Sequence, residues 1–376
     1  MPRRNHRYFP WLGLGVMLGF ILSVELFFGS WFKAPGLWNL GIIRSVDWTI
    51  DVSEHYQHEG PIRYRRDYYG LRGSFGHPRE IDLLVIGNSS TDQRNVAEGE
   101  TWVDQLNACL NKKGAKVKTA NAGVTGQTLR GLARNFDLWF NHIPGLKPKW
   151  VLAYFGVTEM DLADRDDSDD VRRYFETNKP PPPWKNLQNW IKMNSALNRL
   201  FSDARSNLKA WRRGEMPSAQ TRPTSAGFRG DKAVDDRLAK AAPEALALNS
   251  QAFLALRAQE EERLQSELAS FETRLGHLNA KTQAFGAQPI FVTQNSANYR
   301  VEGGKVWGDV RQFIRLRALA KRTMSYCAAQ KMVCFDLSAD LSLEDGDAYD
   351  GAHLTAKGSA RVADYLCQRL SLQAPP

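Results

Sequence analysis

The chain has 376 residues, 43% of them apolar and 24% charged. That composition is globular and excludes wholesale disorder and fibrous repeats. A net charge of +9, from 50 Lys and Arg against 41 Asp and Glu, favours anionic partners without naming one. Four cysteines with no CxxC pair exclude a disulfide framework and give no zinc or redox motif.

From Tyr8 to Phe32 the sequence reads YFPWLGLGVMLGFILSVELFFGSWF, with Glu25 as its one charged side chain. As a helix rising about 1.5 Å per residue, such a run covers the roughly 30 Å hydrocarbon core of a bilayer with some tilt. Trp11 and Trp31 suit the two interfaces. Arg3, Arg4 and Arg7 precede it, whereas Lys33 and Arg44 are soon followed by Asp47, Asp51 and Glu54. The positive-inside bias therefore puts the N-terminus in the cytoplasm and the rest in the periplasm or outside the cell. A cleaved signal peptide is the rival reading; the run is long for an h-region and no AxA site follows. The expected organisation is a tip and single-pass anchor over residues 1–33 and a linker over 34–80. A body follows over 81–376, with a helical and loop insertion at about 162–286.

Ile81–Gly87 is a short apolar run ending in glycine and reads as a buried strand. Thr101–Lys113 has helical spacing at Trp102, Leu106 and Leu110. Val117–Asn121 is a second strand, and Leu129–Phe140 a helix with Leu132, Phe136 and Phe140 on one face. Further strands are expected at Trp150–Gly156, Pro289–Thr293 and Met332–Leu337, and helices at Val310–Gln330 and Ala356–Leu370. Strands alternating with helices imply an α/β fold, a parallel sheet covered on both faces. Chemistry then gathers at the C-terminal strand ends.

The insertion opens with DRDDSDD and Pro180–Pro183, is helical to about Arg213, and continues as the polar stretch GEMPSAQTRPTSAGFRGDK. A long helix follows over about 250–284, with Leu264, Leu268, Phe271, Leu275 and Leu278 as a stripe to pack on the sheet. A coiled-coil face is the lesser alternative, because the stripe is short.

Four blocks fall at expected strand ends: IGNSSTD, NAGVTGQT, FGVTEMD and DGAHLTAKG. They bring a serine, an acid and a histidine to one rim. A serine hydroxyl needs a base to take its proton, and an imidazole serves near neutral pH. An acid on the other ring nitrogen fixes the tautomer, and N–H groups at glycine turns can receive the oxyanion.

These blocks resemble those of the SGNH (GDSL-type) hydrolases. The resemblance spans most of the body from Ile81 to Leu370, outside the insertion. It implies a three-layer α/β/α, flavodoxin-like domain. It makes Ser89 of GNS the nucleophile, His353 of DGAH the base and Asp350 its orienting acid. Gly126 of the second block becomes an oxyanion N–H donor. The family's GxND block departs here to Gly156-Val157-Thr158-Glu159, so Thr158 stands in the oxyanion slot of an Asn. A hydroxyl donates one hydrogen bond with a shorter reach than an amide. RRDYYGLRG, IGNSSTDQRNVAEGETW and NHIPGLKPKWVLAYFG further resemble membrane-anchored members associated with bacterial exopolysaccharide or envelope glycan assembly.

Simpler roles compete. Ser90 is the runner-up nucleophile, Asp92 a turn cap, and Gly123 structural. The histidines at 6, 55, 58, 77, 142 and 277 have no comparable motif and read as surface or packing residues. Arg63, Arg65 and Arg66 read as a solvated surface before an anion site. Arg212, Arg213, Arg222, Arg229 and Lys232 read as a linker. Cys109 with Cys367, and Cys327 with Cys334, are bridged if their Cα atoms come within roughly 7 Å, and are buried thiols otherwise.

The expected function is a serine esterase or acyltransferase on O-acyl, chiefly O-acetyl, esters of cell-surface polysaccharide, without metal or cofactor. The alternatives are a non-catalytic glycan-binding or assembly component and a lipid esterase. Expected partners are the acylated glycan or another ester, the bilayer through residues 8–32, and polysaccharide-assembly proteins. No nucleic-acid motif is present.

Overall fold

The computed structural model describes residues 9–29, 31–32, 42–160 and 245–372, with 187, 191, 195–198, 200–201 and 204. The acidic and proline opening of the insertion, its polar stretch and the five basic residues from Arg212 to Lys232 lie outside the described residues.

In chain order the elements begin with α1 (Phe9–Phe28), β1 (Val46–Ile50), β2 (Ile62–Arg66), β3 (Leu83–Gly87), α2 (Ser89–Asp92), α3 (Trp102–Lys112), β4 (Thr119–Gly123), α4 (Leu129–Leu138) and β5 (Trp150–Phe155). They continue with β6 (Leu246–Ala247), α5 (Gln251–Arg263), α6 (Gln265–Ala284), β7 (Gln288–Thr293), β8 (Tyr299–Glu302) and β9 (Lys305–Gly308). The last are α7 (Val310–Gln330), β10 (Val333–Phe335), α8 (Leu337–Asp340) and α9 (Ala356–Arg369).

Five strands form a parallel sheet in the lateral order β10-β7-β5-β3-β4. Within that sheet this is the 2-1-3-4-5 order of flavodoxin-like folds, with a switch point between the first and third strands. Alternate residues of β3 explain its unbroken apolar run. Leu84 and Ile86 face a core shared with Leu132, Phe136, Phe271, Leu275 and Leu278. Leu83 and Val85 face Trp102, Leu106, Val362 and Leu366 on the other side. Helices therefore cover both faces. Thr101, Asp309 and Thr355 cap α3, α7 and α9 by accepting from backbone N–H groups, satisfying donors each helix start leaves orphaned.

The long insertion helix is two helices meeting at Leu264, whose backbone still accepts from Leu268. Its apolar stripe is buried in the sheet core, so the packing reading stands over the coiled coil. Part of the expected linker or lead-in over 34–80 is folded. β1 and β2 form an antiparallel hairpin with its own core of Trp48, Ile50, Ile62 and Tyr64. Arg72 then bridges antiparallel to Asn121 at the open edge of β4. β6, β8 and β9 make a further small antiparallel sheet, too short to stand out as alternation in sequence.

The apolar N-terminal run is helical to Phe28 rather than Phe32. Among the described residues no helix is long and apolar enough to cross a membrane.

Both cysteine pairs are disulfides. Cys109–Cys367 joins α3 to α9 with Cα atoms 6.2 Å apart, and Cys327–Cys334 joins the end of α7 to β10 at 6.3 Å. The first closes a loop of 258 residues. Cys109→Ser with Cys367→Ser is expected to lower stability by about 2–5 kcal/mol, read as a lower denaturation midpoint under non-reducing conditions.

Candidate active site

The turn after β3 is shaped by close packing. A Cβ at Gly87 would collide with Thr91, and one at Gly123 with the backbone of Asp92. With glycine at both places, the single turn of α2 lies directly on the ends of β3 and β4. Asn88 caps that turn, its side chain accepting from the Ser90 N–H. Ser89 is the first helical residue, and among the described residues no hydrogen bond takes its N–H.

Ser89 Oγ lies 2.7 Å from His353 Nε2. His353 Nδ1 lies 2.7 and 2.9 Å from the two carboxylate oxygens of Asp350. Asp350 Oδ1 also accepts from the N–H groups of Ala352 and His353. Burial pushes the Asp350 carboxyl up, but its hydrogen bond to His353, the imidazole charge and the two N–H donors outweigh this. The net effect holds it below the ordinary carboxylate range, so it is an ionised acceptor at neutral pH. The chain thus brings Ser89 to a pair, Asp350 and His353, that lies more than 260 positions further on.

Ser90, the runner-up, is buried. Its hydroxyl donates to the Ala352 carbonyl and accepts from Gln294 Nε2. It has no base beside it. Gly126 is exposed, with φ +81° and open space where a Cβ would lie, as an approachable turn N–H requires. Thr158 is differently engaged. Its hydroxyl donates to the Gln127 carbonyl at 3.0 Å and accepts from Asn88 Nδ2 at 3.1 Å. Its single proton is therefore committed inside the protein. Asn88 Nδ2 reaches Gln294 Oε1 as well, at 3.2 Å. Glu159, next in that block, is buried, accepting from the Leu129 N–H and facing Arg274 at 3.4 Å.

The hairpin supplies the floor of the site. Arg66 is buried and donates to Asp92 Oδ1, the Gly123 carbonyl and the Tyr64 hydroxyl. Arg72, also buried, donates to the carbonyls of Asp92, Gln93 and Val96 and to Glu98. This corrects the surface reading of Arg66 and the cap reading of Asp92: the two form a buried ion pair beneath the Ser89 turn. Arg63 does lie at the surface, paired with Asp47. Gln93 adopts a left-handed φ of +47°, held there by its side-chain bonds to Ser359 Oγ and the Trp102 N–H.

An aromatic stack backs His353. The rings of Tyr349 and His353 lie 5.6 Å apart and 11° from parallel, and Tyr349 also stacks on Tyr56 at 5.5 Å. His55 lies 5.5 Å from Tyr349, buried, and among the described residues neither of its ring nitrogens has a hydrogen-bond partner. Burial holds its pKa below the usual histidine range, against the attraction of Asp350; it packs as a neutral ring. Tyr349→Ala is expected to lower kcat by about tenfold or more by loosening His353, while Tyr349→Phe keeps the ring and the rate. Steady-state kinetics on the two variants would separate them.

Asn88, Gln294, Arg66, Arg72 and Tyr349 were not legible as site residues. Their signal is spatial: RRDYYGLRG precedes the first sheet strand, and nothing in a single sequence marks an arginine as buried. A cavity of about 630 Å³ between α5 and α7, lined by Leu248, Phe253, Phe313, Arg317 and Asp336 among others, includes no triad residue.

No family model matches the chain, and no curated protein does. Solved structures do. A lipolytic protein of the G-D-S-L family from Desulfitobacterium hafniense is 12% identical, over 77% of this chain and 98% of that one, with a TM-score of 0.36. An acetyl xylan esterase variant from Geobacillus stearothermophilus is 14% identical over 81% and 99%, with a TM-score of 0.39. An alpha/beta hydrolase from the metagenome of Lake Arreo, Spain, is 15% identical over 77% and 95%, with a TM-score of 0.38. At these scores the reading of the site rests on the chain's own residues: a parallel α/β sheet of 2-1-3-4-5 order with Ser89, His353 and Asp350 brought together at its rim.

Proposed function

We propose that the chain is a serine esterase or acyltransferase of the SGNH type, anchored in a membrane, that acts on O-acyl esters, chiefly O-acetyl esters, of cell-surface polysaccharide. The observation that carries the catalytic part is the Ser89 Oγ–His353 Nε2 approach at 2.7 Å with Asp350 on the other ring nitrogen. The glycan is supported by the subfamily resemblance, and an exterior location by two disulfides, which persist in oxidising compartments.

In the mechanism, Ser89 Oγ attacks the ester carbonyl as His353 Nε2 takes its proton. The oxyanion is received by the N–H groups of Ser89 and Gly126. The imidazolium, stabilised by Asp350, protonates the leaving alkoxide and an acyl-Ser89 ester remains. His353 then activates water or a sugar hydroxyl, which takes the acyl group and frees Ser89.

The test is labelling of the full chain by a fluorophosphonate, read by intact mass. Wild type and Ser90→Ala are expected to gain one adduct, and Ser89→Ala and His353→Ala none. Absence of labelling in folded wild type overturns the catalytic reading. It would leave the non-catalytic glycan-binding reading, which the committed proton of Thr158 favours. Under the catalytic reading Thr158→Asn adds an amide donor. Since one oxyanion donor is worth about 10²–10³ in rate elsewhere, a rise in kcat of at least about tenfold is expected on an acetyl ester.

A further inference from the structure

Glu25 is the acid in the otherwise apolar α1, and its partners come from the insertion. Its carboxylate accepts from Ser195 Oγ at 2.6 Å, the Ala196 N–H at 3.0 Å and the Leu197 N–H at 3.2 Å. Trp31 Nε1 adds a fourth bond at 2.8 Å. Ser195 N–H donates to the Ile191 carbonyl, and its hydroxyl accepts from the Asn198 N–H, capping the helical residues 196–198. Glu25 therefore grips the start of that helical stretch.

The apolar side chains around this grip face outward. On α1, Leu18, Phe20, Leu22, Leu26 and Phe27 are at least half exposed. On either side of Ser195 in sequence, Leu187, Ile191, Leu200 and Phe201 are 43–71% exposed. Glu25 lies three residues before the end of α1, about 5 Å along the axis, at the depth where a spanning helix leaves the hydrocarbon. The two apolar surfaces meet there, and a carboxylate at that depth is tolerable only with partners.

We infer that Leu187, Ile191, Leu200 and Phe201 make a second membrane contact in the outer headgroup region, and that Glu25 locks the Ser195–Leu197 stretch among them to the anchor. The occupant is a lipid surface, because these side chains continue the apolar surface of α1. This rests on the anchor reading above.

The test uses the full chain in phosphatidylcholine vesicles. All four native cysteines are in disulfides, so Leu18→Cys or Phe201→Cys can carry a single environment-sensitive fluorophore. Lipids with nitroxides at a shallow or a deep position report its depth. The fluorophore at 201 is expected to be quenched about twofold more by shallow than by deep nitroxides, and that at 18 more by deep ones. Glu25→Ala should abolish quenching at 201 and preserve it at 18. Quenching at 18 without quenching at 201 overturns this inference alone. No quenching at 18 overturns the anchor reading beneath it. Quenching at 201 that survives Glu25→Ala overturns the lock.

Discussion

Ser89→Ala is expected to abolish ester turnover, with a fall in kcat of roughly 10⁴–10⁶ and no change in fold. The side chain removed makes one hydrogen bond, to His353, so its loss costs little stability. Asp350→Asn is the more informative companion. An asparagine keeps the shape but replaces an acceptor-only carboxylate with a group that can donate, favouring the wrong tautomer of His353. A fall of about 10⁴ in kcat follows. Ser90→Ala, by contrast, removes a buried hydroxyl that joins Gln294 to the Ala352 carbonyl. Its expected signature is a lower melting midpoint with residual turnover. Turnover on a chromogenic acetyl ester with thermal melts of the same samples separates the three outcomes.

The second large effect is on stability. Asp92 is buried, and burial alone would raise its pKa, yet Arg66, Arg94 and Arg72 lower it to about 2. The Arg66 guanidinium is correspondingly held above its ordinary value despite burial, by Tyr64 and Asp92. Removing one member of such a pair leaves an uncompensated buried charge, so Arg66→Met should cost about 3–5 kcal/mol. Arg66→Met with Asp92→Asn should cost less than the sum of the two single changes. The pH sign follows from the direction of the shift. A carboxyl depressed on folding contributes stability above its unfolded pKa, roughly 4, and loses it as pH falls through about 2. Asp67 acts oppositely. Burial raises it to about 6 despite backbone donors led by Leu71, so the folded state gains relative stability as pH falls from about 6 to roughly 4. Urea midpoints at pH 7, 4.5 and 2.5 are expected to show the lower limb shrink in Asp92→Asn.

The parallel sheet was legible because β3, β5 and β7 are buried on both faces and so read as unbroken apolar runs ending at glycine or polar residues. The meeting of Ser89, Asp350 and His353 was legible because block order carries it: a serine after the first strand, and an aspartate three residues before a histidine near the C-terminus. What escaped detection is what depends on three dimensions. The hairpin strand IRYRR reads as a basic stretch, yet its alternate residues Ile62, Tyr64 and Arg66 are all buried. Arg66 is apolar in placement and ionic in partner, which hydropathy cannot express. Thr158 was visible as a substitution, but the destination of its proton depends on the Gln127 carbonyl, 31 positions away. The cysteine pairs were correctly grouped, and whether they were bridged was decided by helix packing that brings α3 against α9.

The Cys109–Cys367 bridge has a consequence for proteolysis. A single cut anywhere in 161–244 would leave one fragment with Ser89 and Cys109 and another with His353 and Cys367. The cut falls between β5 and β7, which pair directly across the sheet, so each fragment holds strands the other needs. The disulfide makes that complementation intramolecular. A nicked molecule would migrate as one species until a reductant is added, with Ser89 and His353 still facing each other, and its two halves could be supplied as separate polypeptides joined through this one bond.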